Sequence, residues 1–517
     1  MQLEDVAEYL PEISWTGFLG VGVALLATTI AFLVQRFELL GLLFRKVEKD
    51  SERHGGELVA AVLRAHGVKF VFTLCGGHIS PVLVACEKEG IRVVDTRFEG
   101  NAAFAADAVS RLSGVIGVAC VTAGPGVTNT VTALQNAKMA ESPVLLLGGA
   151  SANALKGRGA LQDIDQLSLC KTLCKHVATV TRVRDIVPAL RKAIYEAQSG
   201  VPGPVFLELP IDVLYPYKLV SDGLFPKSPA KSFGQKITNW YLENYLNRLF
   251  ADAWVDQSLT PIIPHFPRHT PNDITEVANL LRGSQKPVFL LGSQVTLPPT
   301  KAQNVKAALE AMGIPCFLGG MARGLLGRNS ALHIRQRRKD ALKEADVVVC
   351  AGAVADFRLS YGRVFKRSSQ VVMVNRSKSN LTMNTDVFFK VRKSVHGDPG
   401  CFILALSQAL TRFSCPSEWL STLKSRDFEK EAENRKKSRN LPQEHLNPLN
   451  VLYLTEEVMS ENSVIIADGG DFVGSAAYIL RPRGPLCWLD PGPYGTLALE
   501  EALLWVPSCA DLIRTCG

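Results

Sequence analysis

The sequence predicts an α/β protein of consecutive doubly wound parallel-sheet domains, the third incomplete, preceded by one transmembrane helix. Continuous apolar runs of strand length (KFVFTL, VIGVACVT, PVLLLGG, PVFLELP) recur, each bounded by Gly, Pro or polar residues, as in strands covered on both faces. Segments of helical period, such as GELVAAVLRAHG with its glycine stop, separate them. Ahead of all of these, residues 13–35 carry no charge, a run long enough to cross a bilayer as a helix.

At 517 residues the chain is too long for one core and divides most naturally into three domains. A hydrophobic content of 47% and a charged content of 21% describe a globular chain rather than a disordered one. The net charge of +8 is spread without a long basic tract, and aromatics do not interleave with basic residues, which argues against a nucleic acid partner. Twelve cysteines form no CxxC pair and no zinc spacing, so they read as free thiols of a reducing compartment.

The amino-terminal segment, 1–50, carries Glu4, Asp5, Glu8 and Glu12 before the apolar run, and Arg36, Arg45, Lys46, Lys49 and Arg53 lie beyond it. This bias predicts a single-pass anchor, with the first dozen residues luminal and the body cytoplasmic; a buried core helix is the alternative. The first domain spans 52–220 and holds KFVFTL, IRVVDT, VIGVACVT, PVLLLGG and PVFLELP. A proline-rich, irregular linker covers 221–271. A second alternation over 272–412 holds PVFLLG, IPCFLGG, DVVVCAG and QVVMVN. Residues 413–445 read as a charged, solvated linker helix. The segment 446–517 offers only SVIIADGG as a clear strand, whereas a doubly wound domain takes about five strands, on the order of 150 residues. The chain is therefore expected to end inside a domain.

Chemistry concentrates in RFEGNAAFAADAVSRLSG and TAGPGVTNT. The first delivers one carboxylate, Glu99, to the start of an alanine-rich helix; taken alone, it reads first as a glutamate answering the helix dipole. In the second, Gly124 and Gly126 let a backbone approach a ring or a phosphate more closely than any side chain permits. The turn is not a dinucleotide fingerprint, because GPGVTN lacks the third glycine, and alone it could be a tight strand-to-helix turn.

Together with ALQDIDQ at 160–166 and PGPVFLELPIDV at 202–213, these blocks resemble the thiamine-diphosphate enzymes of the acetolactate synthase and 2-hydroxyacyl-CoA lyase family. GGMARGLLGRN, DVVVCAG and IIADGG follow in the family's order, so the resemblance covers about residues 55–495. GGHISP, GGMARGLLG, DFRLSYGR and the amino-terminal span look most like its membrane-bound, acetolactate synthase-like branch. The resemblance implies a pyrimidine-binding first domain, a nucleotide-binding-like central domain and a diphosphate-binding third one, with thiamine diphosphate and Mg2+ as cofactors. Glu99 would be the catalytic residue, sharing a proton with the pyrimidine ring so that the cofactor's own amino group can deprotonate the thiazolium carbon.

By the same resemblance Thr122, Gly124, Pro125, Gly126 and Asn129 join Glu99 in cofactor binding. Gly76, Gly77, His78 and Gln162 would line the substrate pocket, although His78 and Gln162 read individually as surface polar residues just as well. FAD or ADP could occupy the central domain, and RQRRK at 335–339 reads as a phosphate attractor or a solvated helix face. A homodimer or homotetramer is implied, with sites between subunits, in the membrane of the endoplasmic reticulum.

The implied reaction is cleavage of a 2-hydroxy fatty acyl-CoA to formyl-CoA and an aldehyde one carbon shorter, as in fatty acid α-oxidation. An acetolactate synthase-type carboligase, a non-catalytic partner of complete chains and a product too incomplete to persist are the alternatives. The sequence departs from the family at Phe98, where histidine is common. It also contains neither GDG nor the paired asparagines that hold magnesium, so no metal ligand is assigned; DGGDFVG at 468–474 matches an earlier turn of that domain. The resemblance fails from about residue 497, which leads to the expectation of a truncated or alternatively spliced chain that is inactive alone.

Overall fold

A computed structural model describes residues 15–36, 45–225, 232–385, 387–440 and 444–497. The first sheet contains β1 (Phe70–Leu74), β2 (Arg92–Asp95), β3 (Gly117–Val121), β4 (Val144–Ala150), β5 (His176–Thr179) and β6 (Val205–Pro210), all parallel, in the order β2-β1-β3-β4-β6-β5. Its apolar runs are buried along their whole length in β3, β4 and β6, while the edge strand β2 keeps only Val94 buried. Helices cover both faces, as continuous apolar strands require.

The second sheet contains β7 (Pro287–Leu291), β8 (Cys316–Leu318), β9 (Val347–Ala351), β10 (Gln370–Asn375) and β11 (Val391–His396), again all parallel, in the order β11-β10-β9-β7-β8. A third, two-stranded parallel sheet pairs β12 (Ile465–Ile466) with β13 (Trp488–Leu489). In each of the two larger sheets the order reverses beside the first strand. Doubly wound folds bind ligands outside the carboxyl ends of the strands at such a reversal.

The helix Glu99–Ser113 explains its own composition. Every residue in it except Asn101 is buried, and a Cβ on Gly117 of β3 would stand 1.8 Å from the carbonyl oxygen of Ala106. Only alanines and a glycine allow so close a helix-to-strand approach. The helix stops at Gly114, whose φ of 72° suits a glycine C-cap.

Buried polar contacts lock the pieces together. The Arg376 guanidinium pairs with Asp398 at 2.6 Å, with side chains 0% and 1% exposed. It also donates to the carbonyls of Pro298 and Gly200 and lies over the Phe266 ring. Arg111 donates from Nη2 to the Asp490 carbonyl at 2.7 Å, tying the helix Glu99–Ser113 to the segment after β13. Arg483 pairs with Glu456 at 2.7 Å. A Cβ on Gly324 would stand 2.1 Å from the Gly484 carbonyl oxygen, so the third segment is seated closely on the second domain.

The charged helix Ser417–Ser438 is packed rather than fully solvated: Trp419 and Leu423 are buried, and Trp419 Nε1 donates to the Pro287 carbonyl at 3.1 Å. The run 335–339 is largely engaged by the protein itself, although Arg337 and Lys339 remain exposed. Arg335 pairs with Glu431 at 3.1 Å and donates to the Tyr478 and Ile479 carbonyls, and the backbone amide of Gln336 donates to Asp427. Arg337 pairs with Glu433, and Arg338 donates to the Arg358 carbonyl. Ten of the cysteines are described, and all ten are free thiols.

The expected transmembrane helix at residues 13–35 is corrected. The segment forms the helix Trp15–Arg36, yet among the described residues no helix is long and apolar enough to cross a membrane. The expected single-pass placement in the endoplasmic reticulum membrane, with a cytoplasmic body, rested on that span and is withdrawn with it. Residues 1–14 and the divergent tail from 498 lie outside the described residues.

Candidate functional site

Three neighbouring strands, β2, β1 and β3, deliver three loops to one crevice at the reversal of the first sheet. Beyond β2, the Thr96 hydroxyl donates to the Thr73 and Phe98 carbonyls at 3.0 and 3.1 Å, pinning the turn that places Glu99. Glu99 opens its helix from an extended Phe98 and is 6% exposed. Its Oε2 accepts from Asn129 Nδ2 at 2.9 Å. A Cβ on Gly126 would stand 3.6 Å from its Oε1, so glycine there keeps the space beside Oε1 open.

The loop after β1 lies against the loop after β3. A Cβ on Gly76 would come within 2.5 Å of the Thr122 Cβ, which makes glycine necessary at that position. His78 approaches the Thr122 hydroxyl through Nδ1 at 3.2 Å. Burial pushes the His78 imidazole below its ordinary pKa, which favours the neutral ring at pH 7. The Gly77 carbonyl accepts from the Tyr215 hydroxyl at 3.3 Å.

Gly124 adopts φ 62°, ψ −109°, a conformation open to glycine, and Pro125 begins the short helix Pro125–Thr128 that brings Asn129 to Glu99. Gln162 has a φ of 61°, and its backbone and Cβ close over Gly124, where an added Cβ would meet it at 2.9 Å. The structure therefore gathers Gly76, Gly77, His78, Glu99, Thr122, Gly124, Pro125, Gly126, Asn129 and Gln162 around one crevice.

Sequence reasoning missed Gln166, whose Oε1 accepts from the Gly124 amide at 2.8 Å, and Glu208 behind it. The signal was available: Glu208 is the one charged residue in PVFLELP. Gly100 was missed too; a Cβ there would stand 2.4 Å from the Phe98 ring.

This crevice fits the aminopyrimidine end of a thiamine. One carboxylate oxygen is held by Asn129, and the other lies beside Gly126, where the Thr122 methyl is the neighbouring side chain. No group of three or more His, Cys, Asp or Glu among the described residues is placed to hold a metal ion.

A second cleft of about 700 Å³, counting the part open to solvent, lies between the first and second sheets' domains and is lined by Arg111, Glu141, Ser142, Phe266, Met321 and Arg376. Glu141 enters it with a left-handed backbone, φ 56°, and accepts from Gln294 Nε2 at 2.6 Å and Asn380 Nδ2 at 3.2 Å. Burial raises its carboxyl pKa above the ordinary carboxylate value.

Comparison with known proteins agrees with the geometry. Residues 53–169 match the thiamine pyrophosphate enzyme N-terminal TPP binding domain, and residues 274–406 match the central domain of the same enzymes. The chain is 59% identical over 482 residues to 2-hydroxyacyl-CoA lyase 2 of Danio rerio, covering 93% of this chain and 78% of that protein. It is 55% identical over 475 residues to 2-hydroxyacyl-CoA lyase 2 of Homo sapiens, covering 91% and 75%. A probable acetolactate synthase of Mycobacterium bovis is 30% identical over 449 residues, covering 86% and 74%. The chain belongs to the thiamine pyrophosphate enzyme family and to the lyases within it.

Proposed function

We propose that this chain acts on 2-hydroxyacyl-CoA, breaking the bond between C1 and C2 to release formyl-CoA and an aldehyde one carbon shorter. The observation that carries the reading is the Glu99 carboxylate, anchored by Asn129 on one oxygen and open beside Gly126 on the other. The names of the relatives above support the substrate class over pyruvate.

Bound thiamine diphosphate supplies the nucleophilic carbon and the electron sink. Glu99 Oε1 is the oxygen free to share a proton with a ring nitrogen, and Asn129 keeps it turned that way. The Gly124–Gly126 turn admits the ring by withholding side chains. A neutral His78, tied to Thr122 through Nδ1, leaves Nε2 to give or take a proton at the substrate hydroxyl. None of the described residues is assigned to magnesium, and the proposed assembly is a homodimer or homotetramer.

Incubating the purified chain with thiamine diphosphate and Mg2+ tests the reading. Formyl-CoA from a long 2-hydroxyacyl-CoA, and no acetolactate from pyruvate, is expected; the reverse pattern refutes it. A second reading, in which the chain lends Glu99 to a site completed by another chain, draws support from the crevice fitting only the pyrimidine end of the cofactor. Co-expression with a complete relative whose equivalent glutamate is changed to glutamine should then restore cleavage, and no restoration would sink it.

A further inference from the structure

Behind the Gly124 turn runs a buried polar chain that the chemistry above does not use. The Gly124 amide donates to Gln166 Oε1 at 2.8 Å. Gln166 Nε2 donates to the Gly149 carbonyl at 3.1 Å and to Glu208 Oε1 at 3.0 Å. Glu208 Oε2 accepts from Lys156 Nζ at 2.5 Å. Gln166 and Glu208 are each 2% exposed, and the Lys156 side chain is 32% exposed, so the chain reaches from the turn to solvent.

A carboxylate in the middle of a strand buried along its whole length is costly unless paired, and an apolar side chain would fill β6 without that cost. What Glu208 adds is direction. Both hydrogens of the Gln166 amide are committed to acceptors, Gly149 and Glu208, so its oxygen can face only the Gly124 amide. A flipped amide would set donor against donor at Gly124 and acceptor against acceptor at Glu208.

We infer that Gln166 and Glu208 are positioning residues, holding the Gly124 peptide so that the Thr122–Gly126 turn presents its bare backbone at a fixed distance from Glu99, with Lys156 as the solvent-side counter-ion. The inference rests on the thiamine reading of the crevice. It assigns to β6 and the helix Gln166–Lys171, on the far side of β4, a part in shaping the cofactor loop.

The test compares the full chain with its Gln166→Leu, Glu208→Gln and Lys156→Met variants. Backbone hydrogen exchange over residues 120–131 reports on the turn, and thiamine diphosphate half-saturation with Mg2+, read from tryptophan fluorescence, reports on its receptivity. In Gln166→Leu, exchange at the turn and the half-saturation concentration should each rise about tenfold, the loss of one buried hydrogen-bonded node, while β4 stays protected as in the parent and the melting temperature falls by only a few degrees. Glu208→Gln keeps an acceptor for Gln166 but loses the Lys156 ion pair, so both readouts should rise by about twofold to threefold, short of the Gln166→Leu effect.

Unchanged exchange at the turn, or a loss of protection spread over the whole sheet, overturns the inference. Should Gln166→Leu fail to fold, Lys156→Met removes only the exposed end and must still raise exchange at the turn by about twofold to threefold; parental exchange in that variant overturns it. A parent chain that shows no saturable thiamine diphosphate binding refutes the reading of the crevice, and the positioning role falls with it.

Discussion

Asn129 Nδ2 reaches Glu99 Oε2 across 2.9 Å, from a residue 30 positions further along the chain. The contact makes the carboxylate asymmetric. One oxygen is fixed to the turn after β3, and the other looks into the space that Gly126 leaves empty. A glutamate that merely answered a helix dipole would need neither partner nor gap, so this pair separates the two meanings the residue had in the sequence.

Gly126 tests the gap. In Gly126→Ala the new methyl would meet the Thr122 Cγ2 at 2.9 Å and Glu99 Oε1 at 3.6 Å. Thr122 is itself packed against Gly76 and bonded to His78, so the methyl should cost about 1–3 kcal/mol in a denaturant melt. Thiamine diphosphate half-saturation, measured by titration, should rise about tenfold as the ring loses its approach. Parental half-saturation would show that the gap admits nothing.

Asp398 tests the joint between the first and second domains. Its carboxylate holds the fully buried Arg376 and also accepts from the Cys401 amide at 2.7 Å, starting the helix Pro399–Ala409. Asp398→Ala leaves a guanidinium charge unpaired in the interior and should cost about 3–5 kcal/mol in a denaturant melt. A cost below about 1 kcal/mol would mean that Arg376 is neutralised by other means.

His333 gives a pH dependence with a definite sign. Burial, with Arg335, Arg323 and Arg481 nearby, pushes its imidazole from the ordinary 6.5 down to about 3. The folded state then refuses a proton that the unfolded chain accepts. The contribution is fully present above pH 6.5 and is lost as pH falls toward about 3. The parent should lose at most about 1.4 kcal/mol more per pH unit than His333→Leu over that window. Parallel stability curves for the two proteins would contradict this.

Much of this was legible in the sequence, for physical reasons. Continuous runs such as PVLLLGG announce strands covered on both faces, and Glu99 with the Gly124–Gly126 turn announces chemistry because glycine and a lone carboxylate are poor choices for packing alone. Strand order was not legible. The reversal between β1 and β3 that brings His78 to Thr122 depends on pairing across the sheet, which periodicity does not encode. Gln166 and Glu208 were lost for a similar reason: their partner, the Gly124 amide, has no signature in sequence. RQRRK shows the limit of charge counting, since Arg335 and Arg337 meet carboxylates on a helix 96 positions away and Arg338 donates to the Arg358 carbonyl. The uncharged run at 13–35 supported a span on hydropathy alone, whereas among the described residues no helix is long and apolar enough to cross a membrane.

The central claim is that Glu99 activates a thiamine bound in the β1–β3 crevice, and Glu99→Gln addresses it directly. Glutamine keeps an oxygen for Asn129 and should preserve the fold, but it cannot share the carboxylate's proton. Formyl-CoA release from a 2-hydroxyacyl-CoA, measured side by side in the parent and Glu99→Gln at saturating thiamine diphosphate and Mg2+, should fall by about 10²-fold or more with the melting temperature unchanged. Equal rates in the two proteins would contradict the account.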